Sequence, residues 1–302
     1  MTTQRHLVVN ADDFGLTVGV NDGIVAAHEG GILSSVSLFA NAPATGDAIR
    51  RARAFPSLGV GVHLTLVDGR PTLPRDQVPT IVGEDGEFRR SWKPFLVACL
   101  RGHVSLDEIE RELTAQIERL RLTGLTLTHL DTHKHVHAYP PVFGIVCRLA
   151  KRFGIPVVRV PYERSLPSAA LHQDRSTRRI ARRQAWLNAA TWLWAKRNYR
   201  EAASMGLRTP RLMGLVDTGI LNPTTLRTLV HRTDPGVTEL MVHPGFVDDG
   251  LRQVRTRLLD SRQQEVLLLC SLATRALLVG ERIDVVRHDL GHSVRRSFRH
   301  VS

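Results

Sequence analysis

Cysteine is scarce. The 302 residues hold three, Cys99, Cys147 and Cys270, each in apolar surroundings and none in a CxxC pair. That argues against a disulfide framework and against a thiolate zinc site, and it suits buried thiols in a reducing compartment. Long apolar runs are missing too: none approaches the roughly 18 residues that a membrane-spanning helix needs. The opening residues Met1–Asn10 run almost directly into an apolar stretch, without the h-region and cleavage site of a signal peptide. A cytoplasmic location is expected, at most peripheral at the inner face of a membrane. No GxGxxG follows the first apolar run, which weakens a dinucleotide reading, and no GxSxG offers a nucleophilic serine. Internal repeats and low-complexity tracts are absent.

What is present describes a globular chain, 42% hydrophobic and 23% charged. The net charge of +12 comes mostly from arginine. It favours anionic partners, although arginine-rich composition also follows from GC-rich coding. Short apolar runs alternate with helical patterns. The expected strands are Leu7–Asn10, Ser35–Ala40, Val60–Leu66, Leu125–Asp131, Val157–Val160, Leu212–Val216, Leu240–His243 and Ile283–Arg287. The expected helices are Val18–Glu29, Ala44–Ala54, Leu106–Leu122, Val142–Phe153, Thr225–His231 and Ser261–Val279. Such alternation argues for an α/β fold, an imperfect (β/α) barrel of seven or so parallel strands, with a doubly wound sheet as runner-up. One catalytic domain over 1–302 is expected. Two segments break its rhythm: Asp68–Ser91, rich in Pro, Gly and charge, reads as a long loop, and 165–211 reads as a basic, tryptophan-bearing helical insertion.

Polar residues gather at expected strand ends. The first strand ends in "VVNADDFG", with Asp12 and Asp13 adjacent. A turn there lets one carboxylate bind a metal and the other face a substrate; the plainer alternative is a helix-capping aspartate. His63 interrupts the apolar "GVGVHLTL", where a hydrogen-bonded core histidine is the plainer alternative. The stretch "THLDTHKHVHAYP" carries His129, Asp131, His133, His135 and His137, all at odd positions. If the whole run is extended, the five share one face. His243 closes another strand in "ELMVHPGFVDDG". In a barrel such ends form one face, where active sites are built. Two imidazoles and a carboxylate make a borderline-hard divalent site; zinc, cobalt, nickel, manganese and magnesium all remain open. A metal there polarises a carbonyl and lowers the pKa of water. A free carboxylate can then take the proton and a histidine protonate the leaving group, giving a hydrolase for an amide or ester.

These motifs resemble the YdjC-like carbohydrate deacetylases. The likeness rests on Asn10–Gly15 (NADDFG), Gly61–His63 (GxH), Thr128–His137 (THxDxHxHxH) and His243–Asp248 (HPxFxD), over about residues 6–290, with a poor match across Ser165–Arg211. The stretches "HLTLVDGRPTLP" and "HVHAYPPVFGIVCRLAKRFGIPVVRVPYE" look most like the branch associated with hopanoid biosynthesis. The family implies N-deacetylation of chitooligosaccharide-like sugars on a seven-stranded, barrel-like fold. The branch implies removal of acetyl from an N-acetylglucosaminyl hopanoid, a membrane lipid. By the resemblance, Asp13, His63 and His133 match the ligands of one divalent metal, magnesium or zinc foremost. Asp12 matches the base and His243 is taken as general acid, with the order of the two aspartates open. His129, Asp131, His135 and His137 become supporting or substrate-contacting groups, and Asp131 is placed to set a ligand histidine's tautomer. The expected partner is an N-acetylated sugar or glycolipid, with no nucleic acid and with a homodimer left open. A peripheral membrane contact through 175–200 is also expected, Arg178, Arg179, Arg182 and Arg183 joining Trp186, Leu187, Leu193 and Trp194 in one amphipathic helix. The competing readings are another barrel metallohydrolase, such as an amidohydrolase or phosphoesterase, and a non-enzymatic binder using the +12 charge.

Overall fold

Strand β1 (Arg5–Phe14) is buried from Leu7 onward on both faces, as a central strand of a parallel sheet must be. The computed structural model describes residues 4–88, 91–164 and 174–289. After β1 come α1 (Val18–Glu29), β2 (Ser35–Leu38), α2 (Thr45–Ala54), β3 (Gly59–Leu64), α3 (Trp92–Leu100), α4 (Leu106–Arg121) and β4 (Leu127–Thr132). Then follow α5 (Pro140–Arg152), β5 (Val157–Val158), α6 (Arg175–Ala190), α7 (Trp192–Ser204), β6 (Arg211–Met213) and α8 (Pro223–His231). The chain continues with β7 (Gly236–Val242), α9 (Asp249–Gln253), α10 (Asp260–Cys270), α11 (Leu272–Gly280) and β8 (Ile283–Val285).

Seven parallel strands run in the order β5-β4-β3-β2-β1-β7-β6. The eighth, β8, lies along β1 at Arg5–Leu7, below the point where β2 takes over that edge at Asn10. Single parallel bridges, Val157 to Arg208 and Glu163 to Leu212, bring the two sheet edges together. The sheet is therefore a curled, barrel-like α/β fold whose strands all point one way, and their C-terminal ends converge.

Local chemistry explains the helix ends. Thr17 caps α1 by accepting from Val20 N–H, and Ser105 caps α4 by accepting from Glu108 N–H. Pro140 and Pro223 open α5 and α8, where the missing N–H costs nothing. The single helix expected over Ser261–Val279 is two, because Ser271 is extended and caps α11 through Thr274 N–H. The periodicity did not separate α3 or α9 from the loops around them.

The long segment after Asp68 is tied down rather than free. Thr72 and Leu73 N–H donate to Glu112 of α4, and Thr80 N–H donates to Glu108. Val78, Ile81 and Phe88 are buried; Arg89 and Arg90 lie outside the described residues. The basic insertion forms the hairpin α6–α7, with 165–173 outside the described residues. No helix among the described residues is long and apolar enough to cross a membrane.

Candidate active site and metal centre

Strand β1 departs from regular pairing between Ala11 and Phe14, and Asp13 takes the left-handed φ of +69°. This bulge cancels the usual alternation of side chains. Both Asp12 and Asp13 are then buried in the same region of the strand ends. Asp13 divides its oxygens. Oδ2 accepts from Arg262 of α10 at 2.6 Å, while Oδ1 lies 3.5 Å from His63 Nε2 and 3.2 Å from His133 Nδ1. Asp12 faces elsewhere. Arg159, just past β5, grips it with two bonds of 2.8 Å, and Asn10 donates to its Oδ1 at 3.1 Å.

His63 is oriented from behind. Its Nδ1–H donates to Asp131 Oδ1 at 2.7 Å, so Nε2 is turned toward Asp13. Asp131 Oδ2 accepts in turn from Ser37 at 2.6 Å and from Arg159 at 2.9 Å. This carboxylate–histidine pairing fixes a ligand's tautomer in metal sites. Phe39 stands edge-on to both His63 and His133, with ring centroids 4.7 and 5.2 Å away.

The extended-run expectation holds only through Thr132. His129 and Asp131 do share one face of β4, and both are buried. Beyond the strand, His133–Ala138 coils, with Lys134 and His135 at φ of +51° and +55°. The five side chains therefore do not line one face. His133 reaches Asp13. His129 sits deeper, between Thr128, Ser37 and the ring of His288. His137 pins the coil: its Nε2–H donates to the Arg159 carbonyl at 2.8 Å, and its Nδ1 meets Thr132 Oγ1 at 2.6 Å. His135 is half-buried near enough to Arg159 and Asp12 to feel their charges. His243 follows β7, and its backbone N–H donates to Glu265 at 2.5 Å.

The ionisation states follow from these contacts. Burial opposes the charge on Asp13, but Arg262, His133 and His63 together outweigh it and hold the carboxyl well below the ordinary range. Burial likewise opposes the charge on Asp12, and Arg159 with His63 overrides it in the same direction. For His63 burial disfavours protonation, yet Asp131 and Asp13 push its pKa up to about 10. For His243 burial wins over Asp12 and Asp13, and the pKa falls to about 4. Burial raises Glu265 to about 7.

The donor set fits a divalent cation. Asp13, His63 and His133 each offer one ligand atom, all within 4.8 Å of one another. A second grouping, Asp12, His63 and Asp131, is equally compact. Its carboxylates are already committed to Arg159, Ser37 and His63 Nδ1, so it offers fewer free lone pairs.

Four participants escaped the sequence reading: Arg159, Arg262, Glu239 and Glu265. Arg159 also meets Glu239 Oε1, at 2.8 Å from its Nε. For Arg159 and Glu239 the available signal was a charged residue inside an apolar run, in "VVRVPYE" and "TELMV". A barrel interior tolerates such residues only when paired.

The chain matches the family described as YdjC-like protein over residues 6–279. The chain belongs to the YdjC-like family. It is similar to a carbohydrate deacetylase of Oceanobacillus iheyensis, 33% identical over 87% of this chain and 95% of that one. It is also 46% identical to a carbohydrate deacetylase of Geobacillus stearothermophilus, over 54% of this chain and 64% of the other. Among solved structures, a putative cellobiose-phosphate cleavage protein of Enterococcus faecalis superposes with a TM-score of 0.72 at 25% identity. That superposition covers 95% of this YdjC-like chain and 98% of the other.

Proposed function

We propose that this chain is a divalent-metal-dependent hydrolase removing the N-acetyl group from an N-acetylglucosamine-containing substrate. The observation that carries the reading is the division of labour between Asp12 and Asp13. Asp13 turns one free oxygen toward two imidazole nitrogens, whereas both oxygens of Asp12 are engaged by Arg159. Asp13, His63 and His133 would hold the metal, whose chemistry is to polarise the acetyl carbonyl and acidify water. Asp12, kept ionised by Arg159, takes the water's proton. His243 is neutral at rest, so it donates to the leaving nitrogen only after receiving the proton that Asp12 took from water. Asp131 keeps His63 Nε2 directed inward, and Phe39 shields the two imidazoles from solvent. The carbohydrate deacetylases to which the chain is similar agree with this chemistry.

The finer substrate in this reading is an acetylglucosaminyl hopanoid, supported by the motif likeness at residues 63–74 and 135–163. The test is acetate release from N-acetylglucosaminyl bacteriohopane and from diacetylchitobiose, each with and without EDTA. Release from the lipid alone supports the lipid branch; release from chitobiose moves the substrate to soluble sugars. Asp12→Asn should retain metal and lose about 10²–10⁴ in kcat, while His133→Ala should lose both. Loss of metal in Asp12→Asn with retention in Asp13→Asn would reverse the two roles.

A further inference from the structure

Helices α6 and α7 present two different faces. Ala181 and Asn188 of α6, with Ala195, Asn198 and Ala202 of α7, are buried. Gln184 and Asn188 bind the barrel: Gln184 donates to the Val216 carbonyl at 2.6 Å, and Asn188 exchanges two hydrogen bonds with the Glu163 backbone. The opposite face is wet. Trp186 is 70% exposed, Leu193 69% and Trp192 50%. These three exposed apolar side chains, together the ridge, bracket Thr191, where the helices meet. Arg179, Arg182 and Arg183 flank it on the α6 side, and Lys196, Arg197 and Arg200 flank it on the α7 side; all six are exposed.

Residues 174–204 carry eight Lys and Arg against Asp174 and Glu201. Neither acid neutralises the outward face. Asp174 spends its oxygens capping α6 through Ser176 and Thr177, and Glu201 lies against Gly144 of α5. Among the described residues, no carboxylate forms an ion pair with Arg179, Arg182 or Arg183. Burial and, after it, the nearby charge of Arg183 lower the pKa of Arg257. Exposed tryptophans beside unpaired cations suit one solvent boundary well, the interface of an anionic bilayer.

We infer that the outward face of α6–α7 is a docking surface for an anionic lipid bilayer. The hairpin also abuts the coil that carries His133. Asn198 donates to the Ala138 carbonyl at 3.0 Å, and Trp194 stands edge-on to Tyr139 at 5.7 Å. The inference stands on the hairpin, independently of the deacetylase reading.

The test is flotation of the intact protein with vesicles, either pure phosphatidylcholine or phosphatidylcholine with about one-third phosphatidylglycerol, at low and high salt. Wild type should bind the anionic vesicles alone and release in high salt. The triple change Arg179→Glu, Arg182→Glu and Arg183→Glu should weaken partitioning at least about 100-fold, at about fivefold per cation. The triple change Trp186→Ala, Trp192→Ala and Leu193→Ala should weaken it about tenfold or more. Unchanged thermal melting and an unchanged far-ultraviolet circular dichroism spectrum would show that both variants remain folded. No wild-type binding, equal binding to both vesicles, or full binding by both variants would overturn the inference. So would sedimentation showing that the ridge variant splits a dimer while wild type ignores vesicles; the ridge would then be an interface between copies.

Discussion

Asp13 has a backbone conformation that few residues other than glycine accept. A φ of +69° costs a non-glycine residue about 1–2 kcal/mol, less for aspartate than for branched side chains. The site uses that conformation to turn one carboxylate to Arg262 and the two imidazoles while its neighbour turns to Arg159. The partner of equal weight is Asp131, which touches no proposed metal position yet determines which nitrogen of His63 faces Asp13. Asp131→Asn should leave the fold intact and weaken divalent metal binding about 10–100-fold. Competition with a chromogenic chelator measures it. An unchanged affinity would mean that packing against Phe39 alone orients the imidazole.

At the level of elements, the pairing of β3 with β4 is what assembles the site. Their register sets His63 opposite Asp131. A slip of one residue would send both to the wrong face. Gly61 makes the close approach possible. A Cβ on it would sit 2.4 Å from the ring atoms of His129, which lies over that position. The glycine two residues before the histidine is therefore a space requirement of the neighbouring strand. Gly61→Ala should lower the denaturant midpoint by the equivalent of about 1–3 kcal/mol. A midpoint equal to wild type would show that His129 can swing away freely.

Across the whole molecule, Arg159 ties three strands together. Its guanidinium meets Asp12 of β1, Asp131 of β4 and Glu239 of β7, all buried. Arg159→Leu strands those carboxylates without their cation and should cost about 3–5 kcal/mol of stability, read from urea unfolding. A loss below 1 kcal/mol would show that water takes over the guanidinium's role, an outcome well outside the range of about 3–5 expected for a broken buried pair. The candidate metal site couples to pH in the other direction. The folded pKa of His63 lies above its ordinary 6.5, at about 10. Its contribution to the metal-free fold is therefore complete below about 6.5 and is lost as pH rises through about 10. A cation needs the same nitrogen deprotonated, so apparent metal affinity should rise about tenfold per pH unit up to about 10. The gain in Tm from a fixed metal concentration should accordingly be larger at about pH 8 than at about pH 6 in scanning calorimetry. An equal gain at both would remove His63 from the ligand set.

Backbone periodicity made part of this protein legible in its sequence. Alternating strand and helix patterns implied a barrel-like α/β fold, and the two-residue period of β4 placed His129 and Asp131 on one face. Adjacent aspartates before Phe14 and Gly15 marked a strand end, and Pro140 marked the start of α5. Those features are local, so they survive without knowledge of neighbours. The tertiary structure decided the rest. Whether the chain stays extended past Thr132 depends on His137 bonding to Thr132 and to the Arg159 carbonyl. Which aspartate is free depends on Arg159, distant by 147 residues, and on Arg262, distant by 249. An arginine in an apolar run looks the same in sequence whether it is solvated or buried. Only the curl of the sheet, bringing β5 and β7 around β1, gives it carboxylates to hold.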